Sequence, residues 1–200
     1  MEEKIIFLSE DYKIEGLLDK QSKDNGVVIT HPHPLYCGDM NNFIVDLIAR
    51  VYKKKGFTTL RFNFRGTANS QGCYDNGSGE QEDVHAALAT LAKTGIKNID
   101  LAGYSFGAWV NALAISENTT VRNMTMVSPP VSFLDFSSID SLSHLKLVVT
   151  GRQDDIAPAD RIKAICPVWN RNARLEIIQG ADHFYSGCME KLESILLSGI

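Results

Sequence analysis

The sequence predicts an α/β protein: a mostly parallel, twisted sheet with helices on both faces. Three observations predict it. Short apolar, β-branched runs alternate with amphipathic stretches along the chain. Two lead strands come first, and repeated strand–helix units follow, as parallel strands need crossover helices. The 200 residues, 44% of them hydrophobic, are the length of one domain with a sizeable core, so 1–200 is read as a single domain.

Residues 3–8 and 12–18 read as an antiparallel opening pair joined near Glu10-Asp11, and 26–30 as the first buried strand, ending in His31-Pro32-His33-Pro34. Phe43, Ile44, Leu47, Ile48 and Val51 recur at helical spacing, which predicts a helix over 42–55, stopped by Gly56. A strand over 57–64 closes at Arg65-Gly66, and a polar loop follows over 69–79. Ser78-Gly79-Glu80-Gln81 has a capping-box pattern and opens a helix to about 93. The rest alternates: strand 96–102, helix 106–117, strand 121–128, strand 145–150, helix 158–170, strand 173–178 and helix 186–198. In such sheets ligands sit at the carboxyl ends of the strands, so chemistry is expected after residues 30, 65, 104, 129, 151 and 179.

Gly103-Tyr104-Ser105-Phe106-Gly107 matches G-x-S-x-G, between a strand and a helix. The turn is so tight that the residues two before and two after the serine must lack side chains, and the serine hydroxyl is held exposed above the sheet. The helix behind it favours negative charge nearby. The alternative is a glycine-rich turn with a bystander serine.

A serine nucleophile needs a base that titrates near neutrality. Of five histidines, His183 follows the last strand, on the sheet edge that also carries Ser105. His85 lies mid-helix, and His144 has no evident partner. The acid should fall between Ser105 and His183 in chain order. Asp154 is favoured; Asp155, which could instead cap the next helix, and Asp135 stay open.

An oxyanion hole needs backbone N–H groups: Phe106, after the nucleophile, and one from the loop after the first buried strand. Pro32 and Pro34 have none to give, so His33 is preferred, with Leu35 and beyond as alternatives. Leu35, Tyr36, Cys37, Tyr104 and Phe184 are candidate pocket residues, whereas Trp109 suits the core better. Arg65 could grip an acidic substrate group, but an internal ion pair is the favoured reading. His31 and His33 could share a face toward a metal, yet no third ligand has a suitable spacing, so neither metal nor cofactor is expected.

Taken together, His-Pro-His-Pro-Leu-Tyr-x-Gly, Leu60-Arg61-Phe62-Asn63-Phe64-Arg65-Gly66, the Ser105 pentapeptide, Gly151-x-x-Asp154 and Asp182-His183 resemble the small bacterial α/β-superfamily hydrolases near dienelactone hydrolase. The resemblance spans nearly the whole chain. It implies the α/β-hydrolase fold, a Ser105–Asp154–His183 triad and esterase-like activity. Dienelactone hydrolase itself uses a cysteine where this chain has Ser105, so lactone specificity does not carry over. The group's loop usually reads Gly-Gly where this chain has Cys37-Gly38, a side chain that narrows the site.

Lids in this fold are often inserted after the strand ending near Ser128. Here about 15 residues (130–144) intervene, too few for a helical cap. An open pocket and short-acyl, water-soluble esters are therefore expected. Thioesterase or peptidase chemistry on the same triad, and a non-catalytic binding module, are the competing readings.

A net charge of −4 and a pI of about 5.7 offer nothing to nucleic acid or an anionic membrane. Lys53-Lys54-Lys55 suits a helix C-terminus rather than a binding patch. With no signal-like start and no long apolar run, the chain is expected in the cytoplasm. Cys37, Cys73, Cys166 and Cys188 then read as free thiols. A small-molecule ester is the expected partner, and composition leaves monomer and homodimer equally open.

Overall fold

The structure is a computed structural model that describes residues 1–115 and 121–200. It has eight strands, β1 (Glu3–Ser9), β2 (Tyr12–Asp19), β3 (Asn25–Thr30), β4 (Thr58–Phe62), β5 (Asn98–Tyr104), β6 (Met124–Val127), β7 (Leu145–Gly151) and β8 (Arg174–Ile178). The helices are α1 (Phe43–Lys54), α2 (Ser78–Lys93), α3 (Phe106–Ala114), α4 (Ala159–Trp169) and α5 (Met189–Gly199). The strands form one sheet in the order β1-β2-β4-β3-β5-β6-β7-β8. β2 pairs antiparallel with β1 and β4, and the remaining pairs are parallel. This is the α/β-hydrolase fold, without a cap domain among the described residues.

The central strands are apolar without interruption because both faces are covered. Along β3 the two-residue pleat sends Val27 and Ile29 toward α1 and α5, where they meet Ile48, Tyr52, Leu192 and Leu196. Val28 points the other way, into the layer of α2, α3 and α4 with Leu60, Val84, Leu101, Val110 and Ile162. Each such side chain contributes about 1.5–3 kcal/mol by leaving water. Asn42 starts α1 by accepting from the Ile44 N–H (2.9 Å). At its other end Lys53 pairs with Asp19 and Lys54 with Glu193, so the basic cluster is spent on internal partners.

The structure departs from the sequence expectations mainly at boundaries. β4 ends at Phe62; Asn63 still donates its N–H to Glu15 O (3.1 Å), while its side chain turns to other partners, accepting from Met40 N–H (2.8 Å) and donating to the Glu15 carboxylate (2.7 Å). α2 is capped one residue earlier than expected, at Gly77 (φ 93°), where the buried Glu80 carboxylate accepts from the Gly77 N–H at 2.8 Å. Only glycine fits there, since a Cβ would lie 2.5 Å from the Trp109 ring. α5 starts at Met189 rather than 186, as Asp182 holds the preceding turn by accepting from Phe184 and Ser186 N–H groups (3.1 and 2.9 Å). α3 runs to Ala114; residues 116 and 117, expected to end it, lie outside the described residues.

Candidate active site

Ser105 stands between β5 and α3 with φ 53° and ψ −119°, a conformation that L side chains rarely adopt. The backbone crowding around it explains the flanking glycines. A Cβ on Gly103 would lie 2.6 Å from the Ala108 nitrogen, and one on Gly107 2.7 Å from the Thr30 carbonyl carbon. The Ser105 N–H donates to Val127 O (2.9 Å), fastening the bend to β6.

His183 lies on the loop after β8, with its Nε2 3.0 Å from Ser105 Oγ. Its Nδ1 is 3.0 and 2.9 Å from the two Asp154 carboxylate oxygens. An ionised carboxylate only accepts, so Nδ1 carries the proton and the Nε2 lone pair faces the serine hydroxyl. All three side chains are buried. Asp154 Oδ1 also accepts from the Ile156 and Ala157 N–H groups (3.0 and 2.7 Å), which fixes the orientation of the carboxylate. The loops of Asp154 and His183 are bound together: Gln153 N–H donates to Ala181 O (2.9 Å), and Gly151 permits the approach, since a Cβ would lie 2.2 Å from the same oxygen. Tyr104 supports the histidine from below, its hydroxyl donating to His183 O (3.0 Å).

Asp155 is exposed, and the following helix starts without a side-chain cap. The Asp135 carboxylate accepts from Ser137 N–H (2.8 Å) within its own turn. Neither is part of the Ser105–His183 chain. His85 bonds Ala114 O (2.8 Å), and His144 Nε2 is buried without a partner among the described residues.

The loop after β3 folds back on itself. Tyr36 and Gly38 N–H groups both donate to His33 O (3.0 Å each), and Leu35 N–H donates to His33 Nδ1 (3.3 Å). The His33 N–H, like that of Phe106 at the first position of α3, has no partner among the described residues. The two therefore remain available to a ligand. Burial lowers the pKa of the His33 ring below its ordinary value, and its Nε2 meets the Tyr74 hydroxyl at 3.3 Å. His31 is committed elsewhere: Nδ1 donates to Pro32 O (2.7 Å) and Nε2 accepts from Phe64 N–H (3.0 Å). It has no lone pair left for a metal.

A cavity of ≈ 330 Å³ opens over Ser105 and His183. Tyr36, Cys37, Tyr104 and Phe184, four of the candidate pocket residues, line it. Leu35 does not, which corrects the sequence reading: the short 3-10 turn Pro34–Tyr36 turns that side chain to solvent, 66% exposed, while Tyr36 and Cys37 return to the cavity. Pro130, Phe133, Leu134 and Ile156 complete the wall and were not foreseen. The one available signal was that Pro129-Pro130 and the residues after it leave the carboxyl end of a strand. Among the described residues, no Asp, Glu, Lys or Arg lines the cavity. Arg65 is turned away and buried, paired with Asp83 (2.9 Å) and Glu10 (3.1 Å). Trp109 packs against the core and donates Nε1–H to Asp135 O (2.7 Å).

No family model matches the chain. It is 34% identical over 193 residues to an uncharacterized protein of Rickettsia prowazekii (strain Madrid E), covering 90% of this chain and 81% of that protein. Among solved structures it is similar to an α/β serine hydrolase homologue from Coxiella burnetii, with 32% identity, a TM-score of 0.91 and 99% and 97% of the two chains covered. An α/β serine hydrolase without a lid from Xanthomonas campestris superposes with a TM-score of 0.89 at 25% identity, covering 99% of this chain and 93% of that one.

Proposed function

This chain belongs to the α/β serine hydrolases, and we propose that it is a carboxylesterase acting on small, uncharged, short-acyl esters through an acyl-enzyme intermediate. One observation carries the reading: the continuous hydrogen-bonded chain Ser105 Oγ–His183 Nε2 (3.0 Å) and His183 Nδ1–Asp154 Oδ2 (2.9 Å), at the floor of a cavity without charged walls.

Ser105 Oγ attacks the ester carbonyl carbon as His183 Nε2 takes the hydroxyl proton. Asp154 keeps the proton on Nδ1 and stabilises the imidazolium that forms. The carbonyl oxygen becomes an oxyanion and accepts from the Phe106 and His33 N–H groups, a stabilisation worth about 3–4 kcal/mol per donor in comparable sites. Collapse breaks the ester C–O bond, and the alcohol leaves with the proton from His183. A water molecule, deprotonated by the same imidazole, then attacks the acyl-enzyme; the acyl–Oγ bond breaks, His183 returns the proton to Ser105 Oγ, and the acid is released. Fixed protein dipoles, already oriented, do the work that solvent would otherwise have to reorganise to do.

The walls argue for the substrate. Tyr36, Phe133 and Phe184 are 54–70% exposed around the mouth, so bound groups meet apolar faces but an open site. A neutral, compact ester fits this better than an ionic one. No helix among the described residues is long and apolar enough to cross a membrane. The test is a p-nitrophenyl ester series: acetate and butyrate are hydrolysed faster than laurate, and Ser105→Ala abolishes turnover. Preference for laurate contradicts the substrate class; undiminished hydrolysis by Ser105→Ala contradicts the mechanism.

A further inference from the structure

We propose that Leu134 is the partition that limits the length of alkyl group the site accepts, separating the Ser105 cavity from a second, apolar cleft. The inference rests on the esterase reading and adds its length determinant. Leu134 lines both spaces, the ≈ 330 Å³ cavity at Ser105 and a neighbouring cleft of ≈ 470 Å³. The cleft lies between the segment after β6 and helix α4. Its floor is apolar, with Phe136, Ile139 and Trp169 buried and Ile165 half-buried. The charged side chains beside it, including Arg161, are solvent-exposed. Such a trough suits an uncharged alkyl chain.

The partition is held in place. Leu134 N–H donates to Pro130 O (2.9 Å), closing a helical turn, and Ser132 N–H donates to Ile156 O (3.1 Å), on the loop that carries Asp154. On the other side, Trp109 Nε1–H fixes the Asp135 carbonyl at 2.7 Å. With the backbone so held and the half-buried Leu134 side chain packed against the core, the partition does not swing aside cheaply. Shortening it joins the two spaces, and each methylene that then enters the trough is worth about fourfold in kcat/KM.

The experiment compares wild type, Leu134→Ala, Leu134→Val and Leu134→Ala/Ile165→Phe on two series: p-nitrophenyl butyrate against octanoate, and butyl against octyl acetate. The first series reads the acyl side and the second the alcohol side. Leu134→Ala is expected to raise the long-to-short kcat/KM ratio by about tenfold or more in one series, the gain expected once at least two of the added methylenes reach the cleft. Leu134→Val, the gentler cut, gives a smaller rise, and Ile165→Phe refills the cleft and cancels the gain. Unchanged ratios in both series for both single variants, with wild type active, overturn the partition alone. So does a gain that survives Ile165→Phe. Wild-type protein that hydrolyses no ester in either series overturns the esterase reading and the partition with it.

Discussion

Asp154 shows how far the chemistry depends on one proton's position. Its two oxygens contact His183 Nδ1, and Oδ1 also takes two backbone N–H groups. Asn at this position keeps the shape but presents an NH₂ group to one of these donors or to the ring, so the imidazole turns to the wrong tautomer. Asp154→Asn is expected to lower kcat by about 10³–10⁴-fold, with little change in KM. Steady-state kinetics on p-nitrophenyl acetate checks this, and a loss under tenfold argues against the assigned role. The same residue shows what a sequence can reveal. Ser105, Asp154 and His183 were legible because each follows a strand, and the sheet places all strand ends together. Leu35 misled because residues 33–38 run in one short loop, and only its turn geometry decides which side chains face inward. Phe133 and Leu134 were silent for a similar reason: their placement comes from backbone bonds to Pro130 and, through Ser132, to Ile156, which no periodicity encodes.

Among the elements, the ends of β3 and β4 meet through a single ring. His31 accepts from Phe64 N–H and donates to Pro32 O, so the neutral imidazole is the bridging form. Burial pushes its pKa down to about 4 from the ordinary 6.5. The folded pKa is the lower one, so the contribution to stability is whole above pH 6.5 and is lost as the pH falls toward 4. The loss by pH 4 is about 2–4 kcal/mol. Urea unfolding at pH 7 and pH 4.5 tests it. The wild type is expected to weaken across this window, and His31→Asn, less stable at pH 7, to weaken less. Equal slopes for the two proteins would remove His31 from the acid response. Helices and strands themselves were readable from periodicity, because both sheet faces are covered and patterning is strict. Their boundaries were not, since near those ends Asn63, Glu80 and Asp182 make side-chain bonds to distant or flanking backbone.

At the scale of the whole molecule, an eight-stranded sheet brings Ser105, His183 and Asp154 together on the loops after three strands, where we propose they act as nucleophile, base and acid, and the short connection from β6 to β7 runs past the cavity. The fold thus supplies a rigid frame, and the loops supply a small apolar site with no charge to repel or select an ionic substrate. The hydrogen-bonded chain of the proposed triad joins residues 78 and 29 positions apart in the sequence, so it exists only when the sheet is complete. Its competence is read most directly by intact-protein mass spectrometry after exposure to a fluorophosphonate, which reacts with a serine only when a base and an oxyanion hole act on it. The expected result is one adduct per chain, mapped to Ser105, absent from Ser105→Ala and strongly slowed in His183→Ala. Native wild-type protein that takes up no adduct, or takes it up elsewhere, would contradict the account.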